Sequence, residues 1–365
     1  MAGSRPLRVG IIGVGWGSVV QTPAFRMVPQ FEVTALCSRN PERVSAAGQK
    51  LGIDDVSTDW RTFVERDDLD VISIATPVDL HLEMTLAAIA AGKHVLVEKP
   101  VGVNAEETGR MLAAAQAAGV QHAVCFESRW EPARYAVWKS VRSGFLGDPY
   151  LVLARTGADY WHPTRGVQSE WMYRTAEGGG YLMGMGSHDL DYTCALFGEP
   201  AAVCADLRNS VPQRPRADGS MLDVDADDSS VLLLRMQNGM TVNIATTAIA
   251  LGGSFRAFDA FGSAGSLSIN SGVMGNTDTV VTASSAATGT TDVLPSVHRA
   301  AASGSEPPAR RAGPSILSLA LMLEDWLPAF EGKPADVPTL VDGHRVARII
   351  DAARASAAGA GWVSL

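Results

Sequence analysis

What constrains this chain most is an alternation near its start. Between Leu7 and Phe126 the short apolar runs LRVGII, FEVTALC, DVISIAT, HVLVEK and HAVCF take turns with longer amphipathic stretches. Strands buried on both faces need a crossover helix to bring the chain back to the same edge, so this pattern predicts a parallel sheet with helices between its strands. Asn104 reads as the N-cap of an Ala-rich helix, and Gly92 and Gly119 fall where helices stop.

The first of these strands, ending at Ile12, runs into Gly13-Val14-Gly15-Trp16-Gly17-Ser18. Two glycines permit a tight turn and a close backbone approach to a pyrophosphate, whose charge is favoured by N–H groups at a helix start. The turn therefore predicts a dinucleotide-binding Rossmann domain over residues 1–126, with Gly13, Gly15, Trp16 and Ser18 as contacts. Ser18 stands where a third glycine is usual, and Pro23 falls inside the first helix, which is expected to restart with Thr22 as cap.

The second strand ends in Leu36-Cys37-Ser38-Arg39-Asn40, without the carboxylate that would bind both ribose hydroxyls of NAD. Ser38 can donate to a 2′-phosphate, Arg39 can pair with it and stack on adenine, and Arg43 follows one turn into the next helix. NADP is expected rather than NAD.

Beyond Phe126 the pattern changes. A helix is expected around Pro132–Ser143, then strands at Tyr150–Ala158, Ala201–Arg208, Ser229–Met236, Met240–Ala248, Ser254–Phe261 and Ser266–Ile269, with turns such as Asn238-Gly239 between them. This predicts a second, α+β domain over 127–365 with a large, mostly antiparallel open sheet, an exposed loop at 288–313 and two final helices. With 46% hydrophobic residues in 365, the chain can fill both cores. A net charge of −9 and the lack of dense basic runs argue against nucleic acid. Cys37, Cys125, Cys194 and Cys204 share no metal-ligand spacing, so no metal is expected. No stretch has the length of a signal peptide or a membrane span, which predicts a cytoplasmic protein.

Three blocks together resemble the Gfo/Idh/MocA oxidoreductase family: Ala75-Thr76-Pro77 with His81, Gly92 through Glu98-Lys99-Pro100, and Gly178-Gly179-Gly180 through Ser187-His188 to Asp191. The resemblance implies hydride transfer between nicotinamide and a secondary alcohol or ketone of a sugar-like or cyclic polyol, in a homodimer or homotetramer. It carries the catalytic roles to Lys99 and His188, and cofactor contacts to Gly13, Gly15, Thr76, Pro77, His81 and Glu98. It also brings Glu127, Arg129, Tyr160, Trp161, Trp171, Arg174 and Asp191 toward the substrate.

The residues suit that chemistry. Removing hydride from a carbinol leaves a proton, so a base must reach the hydroxyl. Lys99 stands at the carboxyl end of a strand, where open α/β sheets hold ligands. Ser187 reads as a helix N-cap, which would place His188 in a first turn whose dipole favours the neutral ring, with Asp191 to orient it. Gly184 departs from a pattern of many members of the family, which carry an Asp there: either Lys99 and His188 suffice, or another acid such as Asp189 or Asp159 substitutes, or the standard alcohol oxidation is not run. Two other functions stay open: a redox-assisted glycoside-cleaving enzyme with tightly held cofactor, and a non-catalytic NAD(P)-binding sensor.

Overall fold

The computed structural model describes residues 5–252, 255–271, 279–294 and 313–365. They fall into two compact units, Met1–Trp130 with Arg299–His344, and Glu131–His298 with Arg345–Leu365.

In the first unit β1 (Leu7–Ile12), β2 (Phe31–Cys37), β3 (Val56–Ser57), β4 (Val71–Ile74), β5 (His94–Val97) and β6 (His122–Val124) form one parallel sheet in the order β3-β2-β1-β4-β5-β6. Val9, Ile11, Val71, Ile72, Ile74, Val95, Leu96 and Val97 are wholly buried, which is why these strands read as unbroken apolar runs. The order of strand addition reverses at β1, since both β2 and β4 flank it, and this leaves a crevice at the carboxyl ends of β1 and β4. Asn40 and Asn104 cap the helices Pro41–Leu51 and Ala105–Ala118, whose ends are closed by left-handed Gly52 and Gly119.

Chain order suggested that everything after Phe126 belongs to the second domain, yet the C-terminal helix Gly313–Trp326 packs in the first unit. Trp326 stacks on Phe31 at 6.2 Å, and Trp130 Nε1 donates to Asp325 at 2.8 Å. Sheet physics supplies the reason: β6 is an edge strand, and the returning chain covers it, with Val124 N–H donating to Pro338 O at 2.9 Å.

The second unit is built on a nine-stranded sheet. It comprises β7 (Pro149–Gly157), β8 (Pro200–Arg208), β11 (Ser229–Met236), β12 (Thr241–Thr247), β13 (Phe255–Gly262), β14 (Gly265–Ser271), β15 (Val280–Ser285), β16 (Thr291–Leu294) and β17 (Val363–Ser364). Every pair is antiparallel except β7 with β12. A small hairpin, β9 (Gln213–Pro215) with β10 (Met221–Asp223), stands apart. The hairpin, β15 and β16 were not foreseen, because polar, short strands carry little alternation. Thr291–Leu294 is thus a strand inside the expected loop, and 295–312 lie outside the described residues.

Along β11 and β12 buried and more exposed residues alternate, so one sheet face forms the core and the other, with Val231, Leu233, Phe261, Val280 and Val293, faces outward. Helices Pro132–Arg142 and Ser187–Phe197 accompany the buried face; Tyr192 meets Phe258 edge-on at 5.2 Å.

Candidate active site

The glycine turn is shaped by what cannot fit in it. Gly13 has φ +105°, and a Cβ there would lie 2.3 Å from Ala75 O, so the turn presses against the end of β4. A Cβ at Gly15 would meet nothing within 4 Å, which leaves an open side for a pyrophosphate to approach the backbone. A Cβ at Gly17 would lie 2.7 Å from Ile11 Cγ2, so Gly17 performs the helix-on-strand packing expected of a third glycine, one residue earlier than the pattern suggested. Ser18 is therefore not its replacement. Its hydroxyl donates to Val14 O at 2.6 Å, while Trp16 is exposed beside the open side.

The first helix does not restart at Thr22. A π-turn, Gly17–Gln21, runs straight into Thr22–Arg26, and both N–H and Oγ1 of Thr22 reach Gly17 O. The wider turn brings Pro23 in without a broken hydrogen bond, because a proline in the first turn of the following α-segment has no N–H to lose.

At the end of β2, Arg39 and Arg43 are exposed, and among the described residues neither guanidinium has a carboxylate partner; Ser38 is half-buried and tied through its backbone to Ser57 O at 3.0 Å. With the open glycine turn, this end of the sheet fits a dinucleotide.

Across the crevice, Thr76 and Pro77 are half-buried, but His81 is fully enclosed. Its Nε2 lies 3.0 Å from Thr76 O and its Nδ1 3.2 Å from Val101 O. Burial pushes the imidazole below its ordinary range, against the pull of both carbonyls. His81 thus fastens the loop after β4 to the loop after β5, and its nitrogens are not available to a cofactor. Glu98 is buried, and Lys99, on a cis peptide to Pro100, is half-buried. Burial raises the Glu98 carboxyl above the usual carboxylate range, opposed by the charge of Lys99 and the amide of Gln21. Sequence reading missed Gln21 and its partner Ser73, since neither belongs to a motif.

Of the expected substrate residues, Glu127 and Arg129 are buried in the first unit. Arg129 forms an ion pair with Asp342 at 3.0 Å and so anchors the C-terminal segment. Trp161 in the second unit is core: it packs on Tyr173 at 4.9 Å and Tyr181 at 5.8 Å. Both corrections have one cause, that flat aromatic and guanidinium groups serve packing as well as they serve ligands. Trp171 and Tyr160 are half-buried, and Arg174 is exposed and paired with Glu170 at 3.3 Å, beside an open groove of about 500 Å³ formed with Arg216, Leu222 and Asp223.

His188 and Asp191 are buried. Ser187 is not a cap: Tyr181, Gly186 and Ser187 are all helical, and the π-turn Leu182–Gly186 continues into Ser187–Phe197. His188 therefore stands beyond the first turn, where the dipole is weak. The true N-terminus is held by Asp227, whose Oδ2 accepts from Leu182 N at 2.8 Å and whose Oδ1 fills the position of a Cβ on left-handed Gly180. Burial pushes the Asp227 carboxyl up to about 6. Neither alternative acid is available in place of Gly184. Asp189 is held by buried Arg134 and by Thr156 Oγ1 at 2.8 Å, and Asp159 pairs with Arg165. Gly184 itself is open, with nothing within 4 Å of its Cβ position. Among the described residues no cluster suited to a metal ion occurs, and no helix is long and apolar enough to cross a membrane.

Comparison with known proteins agrees with this geometry. Residues 7–126 match the profile of an oxidoreductase family with an NAD-binding Rossmann fold, and residues 136–268 match the GFO/IDH/MocA C-terminal domain. The chain is 29% identical over 287 residues to levoglucosan dehydrogenase of Pseudarthrobacter phenanthrenivorans, covering 72% of this chain and 73% of that one. It is 30% identical over 213 residues to an NADP(+)-dependent scyllo-inositol 2-dehydrogenase of Bacillus subtilis, covering 58% and 57%. A solved levoglucosan dehydrogenase in complex with NADH and levoglucosan superposes with a TM-score of 0.86 at 27% identity, over 99% of both chains. The chain belongs to the Gfo/Idh/MocA oxidoreductase family.

Proposed function

We propose that this protein is an NADP-dependent oxidoreductase that moves a hydride between nicotinamide and a secondary alcohol or ketone of a sugar-like or cyclic polyol. The observation that carries the reading is the pairing, at one end of one sheet, of an open glycine turn with Glu98-Lys99-Pro100. Gly13 and Gly15 would cradle the pyrophosphate, Thr76 and Pro77 would border the nicotinamide half, and Arg39 with Ser38 and Arg43 would take the 2′-phosphate. The bound cofactor supplies hydride acceptance and donation. Lys99 and His188 manage the substrate proton. Relatives named for levoglucosan and scyllo-inositol support a ring polyol as substrate.

Nicotinamide absorbance over a panel of polyols and keto-sugars tests the reading. Lys99→Ala and His188→Ala are each expected to lower kcat by about 100-fold or more; intact turnover in both would remove their roles. The outward sheet face, with Val231, Leu233 and Val293, supports self-association into a homodimer or a homotetramer.

A further inference from the structure

Beneath the glycine turn four polar side chains from four elements meet in the interior. Ser73 of β4, Gln21 at the end of the π-turn, Glu98 after β5 and Cys125 after β6 are all buried. Ser73 Oγ donates to Gln21 Oε1 at 2.8 Å. Gln21 Nε2 donates to Glu98 Oε1 at 2.9 Å and lies 3.6 Å from Cys125 Sγ. Lys99 N donates to Glu98 Oε2 at 3.2 Å.

The sequence of donors fixes the chemistry. A serine hydroxyl has one proton, and giving it to Gln21 Oε1 turns the amide nitrogen toward Glu98. Both oxygens of Glu98 then accept, which is the pattern of an ionised carboxylate. Burial opposes that charge, and a carboxylate in the interior persists only where donors and a counter-charge compensate it. Those are the charge of Lys99, the Gln21 amide, the Cys125 thiol and the Lys99 backbone N–H.

We propose that Gln21, oriented by Ser73, is a positioning residue that keeps Glu98 ionised, so that Glu98 in turn holds the Lys99 side chain for its work on the substrate proton. The inference rests on the proposed role of Lys99, but its first test does not.

Full-length Gln21→Leu is compared with Gln21→His, which retains an N–H donor. Infrared spectra of protein labelled with 13C-glutamate, with Glu98→Gln as the assigning control, follow protonation of Glu98 from about pH 5 to about pH 9. In Gln21→Leu the protonated band is expected at a pH at least about one unit higher than in the parent, with Gln21→His within about half a unit of it. The acid limb of kcat/KM moves in the same direction. Ser73→Ala, which releases the amide to rotate, gives a smaller shift of the same sign and serves if Gln21→Leu does not fold. Coincident titration of Glu98 in the parent, Gln21→Leu and Ser73→Ala would overturn the proposal. A shifted Glu98 with turnover unaffected by Lys99→Ala would support the relay and remove the role of Lys99 instead.

Discussion

Single side chains decide which cofactor this fold prefers and how firmly its site is held. Arg39 is exposed and without a carboxylate partner among the described residues, so a 2′-phosphate would add a charge-assisted contact without breaking one. Arg39→Ala is expected to raise the Kd for NADPH by about 10- to 100-fold, and that for NADH by less than about threefold; fluorescence titration with both cofactors measures the difference. Gly184 permits the reverse experiment. With nothing within 4 Å of its Cβ position, Gly184→Asp is expected to fold with a Tm within about 3 °C of the parent in a thermal melt. Asp227 has a raised folded-state pKa of about 6, so its contribution is greatest below the unfolded carboxyl range and is lost as pH rises through 6. Asp227→Asn, which can still accept from Leu182 N, should therefore gain up to about 2 kcal/mol in urea unfolding at about pH 8, and that gain should vanish toward about pH 4.

At the scale of elements, the most consequential arrangement is the return of the C-terminal segment onto the edge of the parallel sheet. Pro338 O takes the β6 N–H of Val124, His122 Nδ1 accepts from Leu340 N at 3.2 Å, and Arg129 grips Asp342. Removing one partner of a largely buried ion pair leaves the other uncompensated, so Arg129→Ala should cost about 3 kcal/mol in urea unfolding. Buried and half-buried histidines of the same unit make the protein sensitive to acid. Burial lowers the imidazoles of His81, His94 and His122, so the unfolded chain binds protons that the folded one resists. Their stability contribution is full above the unfolded histidine pKa of about 6.5 and is lost as pH falls below it. A Tm that falls from about pH 7 to about pH 5, and falls less in His122→Gln, is the expected observation.

Over the whole molecule, a sheet face on which Val231, Leu233, Phe261, Val280 and Val293 are exposed among the described residues is a reason for copies to associate. The register aligns Leu233 with Asn243, and Leu153 with both Asn243 and Asp259, into a row that crosses the sheet toward Thr282 and Val293. Such a row suits a self-complementary contact about a two-fold axis. Light scattering is expected to give a mass at least twice that of one chain, and Leu233→Lys to reduce it; a parent that runs as a single chain at all concentrations would remove this part of the function proposed.

Much of the fold was legible because its cause is local. Alternation of apolar runs specified the parallel sheet, period-two patterns specified most strands of the second sheet, and Asn104, Gly92 and Gly119 marked turns whose chemistry lies within a few residues. The glycine turn was legible for the same reason, and Glu98-Lys99-Pro100 through its resemblance to the family. Partnership was not. Nothing near Arg129 announces Asp342, 213 residues on, and nothing near Leu182 announces Asp227. The enclosure of His81, the retreat of Trp161 into the core, the engagement of Asp189 by Arg134 and the link from Ser73 through Gln21 to Glu98 are equally remote in sequence. The sequence by itself determined most of the elements, the parallel sense of the first sheet and the kind of ligand the glycine turn can admit, because backbone geometry and apolar periodicity act over a few residues. Tertiary structure alone decided which polar groups remain available for chemistry, because a buried charge or amide must find its partner wherever the fold brings one.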